Sequence, residues 1–204
     1  MFEDREDAGE LLAEALSRQN LDVDVVLLTS LDSFTIGEKI AAELGVPLNS
    51  MISTELTIPG DNLAFGAVSE QGTIWIDDSI KQKYRVDKRY VSKIKSDRMQ
   101  EIQSVLKNLG VSNKPDLNSK NVLLVSSGID SGMKEAASLG AALRLGAEKR
   151  VVVTTNVSNI GLERLGLADT IISLKRSSLD FSPNKHRFYN RKNIQEEIKS
   201  YFSA

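Results

Sequence analysis

The sequence predicts an α/β fold whose centre is a doubly wound, mostly parallel sheet. Short apolar runs typical of buried strands occur at residues 23–28, 122–125 and 151–155. Segments with apolar residues at helical spacing lie between these runs. Alternating strands and helices of this kind favour a parallel sheet with helices on both faces.

The first part of the chain predicts an opening helix and then a strand–helix–strand unit. The apolar stripe of the opening helix is Ala8, Leu12 and Leu16. Asp7 is its predicted N-cap, and Gly45 is the predicted end of the next helix. Strands at residues 23–28 and 47–53 flank that second helix, so we expect them to be parallel with a right-handed crossover.

The middle of the chain predicts a hairpin and a long helix. Residues 64–76 alternate in polarity around a turn at Gln71-Gly72, and the helix that follows stops at Gly110. We interpret Trp75 as a packing residue and Asp77-Asp78 as an exposed strand end. The basic residues of this region are Lys81, Lys83, Arg85, Lys88, Arg89, Lys93, Lys95 and Arg98. A solvated helix face is the common explanation of such a run, and an arm over an anionic ligand is the alternative.

The remaining part of the chain predicts a second strand–helix–strand unit and a final amphipathic helix. Its helix is predicted at residues 134–145, and a further helix at 161–168 precedes a last strand at 171–174. In such sheets ligands bind beyond the carboxyl ends of the strands. We therefore expect the loops at Thr29 and Ser126 to border the functional site.

Composition excludes several classes of function. The net charge is -2 with acids and bases well mixed, which gives no reason to expect a nucleic-acid partner. The chain has no cysteine, so disulfides and thiolate metal sites are excluded, and its one histidine, His186, is interpreted as a surface residue. No apolar segment approaches the ~20 residues of a membrane span, and the acidic opening predicts no signal peptide. We expect a cytoplasmic protein without a metal site.

The most informative segment is the loop between the strand at residues 122–125 and the helix that follows it. Gly128 and Gly132 bracket a tight turn at the start of this helix. Backbone N–H groups of such a loop converge with the helix N-terminus and favour an anion. The alternative is a plain strand-to-helix turn in which Ser127 or Ser131 caps the helix. The string matches neither a Walker loop nor a dinucleotide-binding motif.

Several segments carry a resemblance to a known family. They are Phe2, Asp4, Arg5, Ala8, Gly9, Leu12 and Ala13, then residues 25–28, 43–48 and 59–68, and Phe188-Tyr189. With these landmarks the chain resembles the type I phosphoribosyltransferases, above all an archaeal and bacterial group. The resemblance implies one domain over residues 1–204 with a hood insertion at about 55–115. It also implies transfer of 5-phosphoribosyl from 5-phosphoribosyl 1-diphosphate to a nitrogen base, with magnesium.

The resemblance also assigns site positions, several of which carry unexpected residues. The implied 5′-phosphate loop consists of Ser127, Gly128, Ile129, Asp130, Ser131 and Gly132, with Lys134 as a helping cation. Ser126 and Ser127 stand where the family has two acids. The diphosphate loop reads Ser30, Leu31, Asp32 and Ser33, without the family's arginine. An Arg-Lys pair is replaced by Thr54 and Glu55.

These replacements predict a phosphoribosyltransferase-like protein with impaired catalysis. We expect it to bind a phosphate or a ligand of the ribose 5-phosphate type in a regulatory or binding role, as a homodimer related to nucleotide metabolism. An active phosphoribosyltransferase is the first alternative, and only this alternative needs magnesium. A structural partner subunit without a ligand is the second. The base substrate cannot be read from the sequence.

Overall fold

The computed structural model describes residues 4–19, 21–111, 115–177 and 191–203. The helices are α1 (Arg5–Ser17), α2 (Phe34–Leu44), α3 (Asp78–Lys83), α4 (Lys88–Asn108), α5 (Met133–Arg144), α6 (Asn159–Arg164) and α7 (Arg191–Ser203). The strands are β1 (Val25–Leu28), β2 (Leu48–Ser50), β3 (Ser53–Thr57), β4 (Ala64–Ser69), β5 (Ile74–Ile76), β6 (Asn121–Ser126), β7 (Lys149–Ser158) and β8 (Thr170–Ser177).

Five strands form the central sheet in the order β2-β1-β6-β7-β8, and every neighbouring pair is parallel. The chain winds outward in one direction from β1 and in the other from β6. The predicted α/β fold with a mostly parallel sheet is thus confirmed. The change of direction places the loops after β1 and β6 side by side at the carboxyl edge, where folds of this kind bind ligands.

Side chains of the central strands alternate between two cores. Val26 and Leu28 of β1 pack into one core with α1, α2, α4 and α7, whereas Val25 and Leu27 pack into the other with α5. These residues are at most 2% exposed. Because both faces are covered, the strands are continuous apolar runs rather than alternating ones. This is the physical basis of the strand signal in the sequence.

A second sheet forms the hood over this edge. Its three strands are antiparallel in the order β3-β4-β5, with a bulge between Leu56 and Thr57. Phe65 and Val68 pack beneath Ile94 of α4 and form a small separate core. The hairpin predicted around Gln71-Gly72 is present, and Gly72 has the positive φ of 75° that its turn requires.

Three sequence predictions need correction. The N-cap of α1 is Asp4, whose carboxylate accepts from the Asp7 amide at 2.9 Å, so Asp7 is a first-turn residue. The strand predicted at residues 47–53 is divided between two sheets, since β2 ends at Ser50 and β3 starts at Ser53. The helix predicted at 161–168 is shorter and begins earlier, at Asn159. Ser158 caps it, because its hydroxyl accepts the Gly161 amide.

The opening signature is mainly a packing motif. Ala8 and Leu12 are buried, and a Cβ on Gly9 would lie 3.3 Å from the Ile36 backbone. α1 therefore packs closely on α2. Phe2, His186 and Phe188-Tyr189 lie outside the described residues. No helix in the described ranges is long and apolar enough to cross a membrane.

Glu70 joins the hood to the central sheet. Its carboxylate accepts from the Ser50 hydroxyl at the end of β2 and from the Ile52 amide, both at 3.0 Å. Its own amide donates to the Ile52 carbonyl at 2.7 Å. Burial raises the pKa of Glu70 above its ordinary 4.5, and the hydrogen bonds from Ile52 and Ser50 offset only part of that effect. The junction therefore contains a carboxyl group that is costly to ionise.

We expect Glu70→Gln to change how stability depends on pH. A folded-state pKa above the unfolded one contributes stability below about pH 4.5 that is lost as pH rises through the folded pKa. As pH rises from about 4.5 through the folded-state pKa of Glu70, the free energy of unfolding of wild type should therefore fall relative to that of Glu70→Gln. At higher pH the difference between the two proteins should stay constant. Urea unfolding from pH 4 to pH 8 measures it. Glu148→Gln, which removes an exposed charge, is the control. A stability difference between wild type and Glu70→Gln that does not depend on pH would refute the raised pKa of Glu70.

Candidate functional site

A cleft of about 450 Å³ lies between the hood and the carboxyl edge of the central sheet. It is lined by Ser30, Asp32, Thr54, Glu55, Thr57, Arg98, Ser127, Gly128, Asp130, Ser131, Gly132, Lys134 and Glu135. The structure thus brings together residues from all four positions that the sequence analysis singled out. Ser126, Leu31, Ser33 and Ile129 do not line this cleft.

Residues 127–132, the glycine loop, are held from one side through their carbonyl oxygens. The Thr155 hydroxyl donates to the Ser127 carbonyl at 2.5 Å, and the Ser158 hydroxyl donates to the Asp130 carbonyl. The Ser158 amide donates to the Ile129 carbonyl at 2.9 Å, and the Arg164 guanidinium donates to the Ser131 carbonyl at 2.8 Å. All donors belong to β7 or α6. Hydrogen bonds from β7 and α6 therefore fix the orientation of most peptide groups in the glycine loop.

The same contacts turn the loop amides the opposite way. In a planar trans peptide the C=O and the following N–H point in opposite directions. The amides of Gly128, Ser131 and Gly132 therefore point away from β7 and α6, and all three residues line the cleft. Within the described ranges these amides donate to no protein group, whereas the Ile129 amide donates to the Asn156 carbonyl at 2.8 Å. The arrangement is a concave set of donors suited to an anion.

Two glycines let the loop and α6 approach closely. Gly132 has φ 72°, and a Cβ there would lie 2.9 Å from the Gly161 Cα. A Cβ on Gly161 would lie 2.8 Å from Ile129 and 2.9 Å from the Asp130 carbonyl. Gly132 is also the N-cap of α5, without a side-chain cap. The serine cap that the plain-turn alternative predicts amounts only to a long contact, in which the Met133 amide donates to the Ser131 hydroxyl at 3.4 Å.

Ser126 lies beneath the loop and contacts an acid that sequence reasoning missed. Its hydroxyl donates to Glu135 Oε1 at 2.8 Å, and both residues are 2% exposed. Glu135 is in the first turn of α5 and lines the cleft. An acid in a first helical turn is common because it favours the helix dipole, so its sequence position alone gave no functional signal. A carboxylate nevertheless lies next to the strand end where the sequence has none.

The diphosphate-loop position, residues 30–33, is a compact 3-10 turn. The Ser33 hydroxyl donates to the Ser30 carbonyl at 2.6 Å, so Ser33 is buried and serves the turn. Arg5 approaches Asp32 at 3.8 Å, with its side chain only 12% exposed. The resemblance implies that this loop lacks the family's arginine and that Asp32 adds a negative charge there, but the sequence alone did not show that Arg5 of α1 lies beside this acid.

The cleft contains more acids than bases. Its lining acids are Asp32, Glu55, Asp130 and Glu135, and its lining bases are Arg98 and Lys134. Arg98 is the only member of the basic run on the described hood that lines this cleft, and it also pairs with Glu101 at 2.8 Å. Glu55 Oε1 lies 3.5 Å from the Ser131 hydroxyl, at the outer limit of a hydrogen bond.

Arg164 connects the glycine loop to the hood. Besides the Ser131 carbonyl, it contacts Asp77 at 2.7 Å and lies over the Trp75 ring, 5.4 Å from its centroid. Hydrogen bonds from the Ser79 hydroxyl, the Ile80 amide and Arg164 hold the pKa of Asp77 below its ordinary 3.8, although burial opposes this. The interpretation of Asp77 as part of an exposed strand end is wrong, because it is a largely covered N-cap of α3.

Comparison with known proteins identifies the architecture. No model of a known protein family matches the chain. It is 27% identical over 186 residues to a provisionally named phosphoribosyl transferase of Mycobacterium tuberculosis, found in two strains. The match covers 89% of this chain but 42% of that relative, so the chain spans less than half of its length.

The chain has a phosphoribosyltransferase-like fold. Its structure superimposes on that of TT1426 from Thermus thermophilus with a TM-score of 0.78 and 25% identity, covering 98% of this chain and 97% of the other. A purine phosphoribosyltransferase from Pyrococcus horikoshii shares the fold with a TM-score of 0.50, 15% identity and coverage of 85% and 83%. The antiparallel sheet β3-β4-β5 fits the hood that the resemblance seen in the sequence implies.

We expect Gly161→Ala to loosen the glycine loop. The added methyl group would meet the Asp130 carbonyl at 2.9 Å, so backbone must shift, at a cost of about 1–3 kcal/mol in the free energy of unfolding. Gly166→Ala is the matched control, because nothing lies within 4 Å of its Cβ. Its effect should stay within about 0.5 kcal/mol. Equal effects of the two substitutions in urea unfolding would contradict the packing account.

Proposed function

We propose that this phosphoribosyltransferase-like protein binds a phosphate monoester of the ribose 5-phosphate class in a binding or regulatory role, with little or no transfer activity. The observation that carries the proposal is the set of loop amides at Gly128, Ser131 and Gly132, which line the cleft without a protein partner in the described ranges. Donors fixed before the ligand arrives need no reorganisation on binding, so they favour an anion of the size of one phosphate.

The charges of the cleft favour one phosphate over two. Its four acids and two bases leave it net negative. Asp32 belongs to residues 30–33, where the resemblance places the diphosphate. Like charges a few Å apart repel by roughly 1–4 kcal/mol, depending on solvent exposure. A diphosphate there would meet this repulsion, whereas a monophosphate on the glycine loop lies beside Lys134.

Weak catalysis follows from the chemistry of the strand end. Transfer from ribose C1 develops positive charge on the sugar ring, and carboxylates stabilise such charge better than hydroxyl groups. Ser126 is buried and its hydroxyl donates a hydrogen bond to Glu135, while Ser127 offers a neutral hydroxyl. Neither serine can supply the charge that two acids would supply.

An active phosphoribosyltransferase is the second candidate, and two observations favour it. Arg98 reaches the cleft from α4, and Glu135 restores a carboxylate near Ser126. Magnesium would belong to this candidate. In the described part of the chain no three acids or histidines lie close enough together to hold a metal ion, so magnesium would be held here by one or two carboxylates together with the substrate phosphates. The homodimer stays a prediction of this proposal, and a partner subunit without a ligand is the remaining alternative.

Calorimetric titration tests the proposal. Ribose 5-phosphate should bind equally with and without magnesium, and 5-phosphoribosyl 1-diphosphate should bind no more tightly. Lys134→Ala should weaken ribose 5-phosphate binding about tenfold, because a charge-assisted contact is lost. Lys149→Ala, an exposed lysine at the far end of β7, is the control.

The competing candidates give different results in the same titration. Tight, magnesium-dependent binding of 5-phosphoribosyl 1-diphosphate, followed by turnover with a purine or pyrimidine base, would establish the active transferase instead. Absence of heat with either compound would exclude both and leave the structural subunit.

A further inference from the structure

The Ser131 hydroxyl lies between the glycine-loop amides and a carboxylate. Its oxygen is 3.5 Å from Glu55 Oε1. Ser131 and Glu55 both line the cleft, on opposite sides, since one belongs to the loop before α5 and the other to β3 of the hood. Within the described ranges Glu55 forms no ion pair, so no protein cation neutralises it directly.

A serine hydroxyl has a single proton to donate. If the Ser131 hydroxyl donates this proton in a hydrogen bond to Glu55, the Ser131 oxygen presents lone pairs to the phosphate site. If it turns to the phosphate, Glu55 loses its one side-chain donor and faces an anion across the cleft. A fully deprotonated phosphate cannot satisfy both groups, and a phosphate that keeps one proton can. Its P–O–H donates to Ser131, and Ser131 donates to Glu55.

We propose that Glu55, acting through Ser131, makes the glycine loop selective for the singly protonated form of a phosphate monoester. The inference rests on the proposed function and specifies its ligand. The second pKa of a phosphate monoester is about 6, so this form is abundant in mildly acidic solution and scarce at pH 8. Sulfate has no proton to donate in this range and is discriminated against.

Other charged groups line the cleft or contact residues that line it, and they set the background against which Glu55 acts. They are Asp32 with Arg5 from the first loop and α1, Arg98 and Glu101 from α4, Asp130, Lys134 and Glu135 around the start of α5, and the Asp77–Arg164 pair behind Ser131. None of these side chains is a histidine. The second pKa of a phosphate monoester, about 6, lies inside the range from pH 5.5 to pH 8.

Titrations of ribose 5-phosphate, inorganic phosphate and inorganic sulfate at pH 5.5 and pH 8 test the inference, each with EDTA and again with magnesium. Wild type should bind phosphate compounds more weakly at pH 8, by roughly tenfold for each pH unit above about 6. Sulfate should bind at least tenfold more weakly than phosphate at pH 5.5.

Glu55→Gln separates proton recognition from plain charge repulsion. If the relay operates, the substitution weakens ribose 5-phosphate binding at pH 5.5, because a neutral amide oxygen replaces the charged acceptor of the Ser131 proton. It strengthens binding at pH 8, because the amide can donate to the Ser131 oxygen and leave the Ser131 proton for the dianion. Removal of repulsion alone would strengthen binding at both pH values and would overturn the inference. Ser131→Ala should also remove the preference for phosphate over sulfate, and Glu148→Gln should leave both ligands unaffected.

The failure of this inference differs from the failure of the proposed function. No binding of ribose 5-phosphate at either pH, in wild type and in Glu55→Gln, would refute the proposed function. Binding that tightens from pH 5.5 to pH 8 in wild type, or that requires magnesium, would keep a phosphate site and refute the role of Glu55.

Discussion

The tethering of the glycine loop to β7 and α6 is the constraint on which the site depends. Hydrogen bonds from Thr155, Ser158 and Arg164 hold the loop carbonyls on one side. Peptide geometry then directs the intervening amides to the other side, towards the cleft. The loop needs no charged side chain for this, so an anion site can persist after the charges around it have changed.

We infer that the rest of the cleft sets which anion the loop can accept. The hood contributes Glu55, while α4 contributes Arg98 and α5 contributes Lys134. Arg164 couples these layers, since it contacts both the loop and the hood residue Asp77. A phosphoribosyltransferase-like fold is therefore combined with a cleft whose lining acids outnumber its lining bases, and we propose that this charge favours recognition of one phosphate over transfer between two large anions.

The sequence predicted the sheet because buried parallel strands are continuous apolar runs, and it located the cleft because strand ends converge. It missed contacts between distant elements. Nothing in the local pattern pairs Arg164 with Asp77 or Ser126 with Glu135, since these pairs depend on packing. Capping was predicted incorrectly where two candidates stood three residues apart, as for α1, because local chemistry favours both.

Nuclear magnetic resonance of the backbone amides during titration with ribose 5-phosphate tests the central claim most directly. The account predicts large shifts, saturating with the ligand, at the amides of Gly128, Ser131 and Gly132. The Ile129 amide is the internal reference, because it already donates to Asn156 and should move little. Saturating ligand that leaves the three amides unchanged, or moves Ile129 as far as them, would contradict the account.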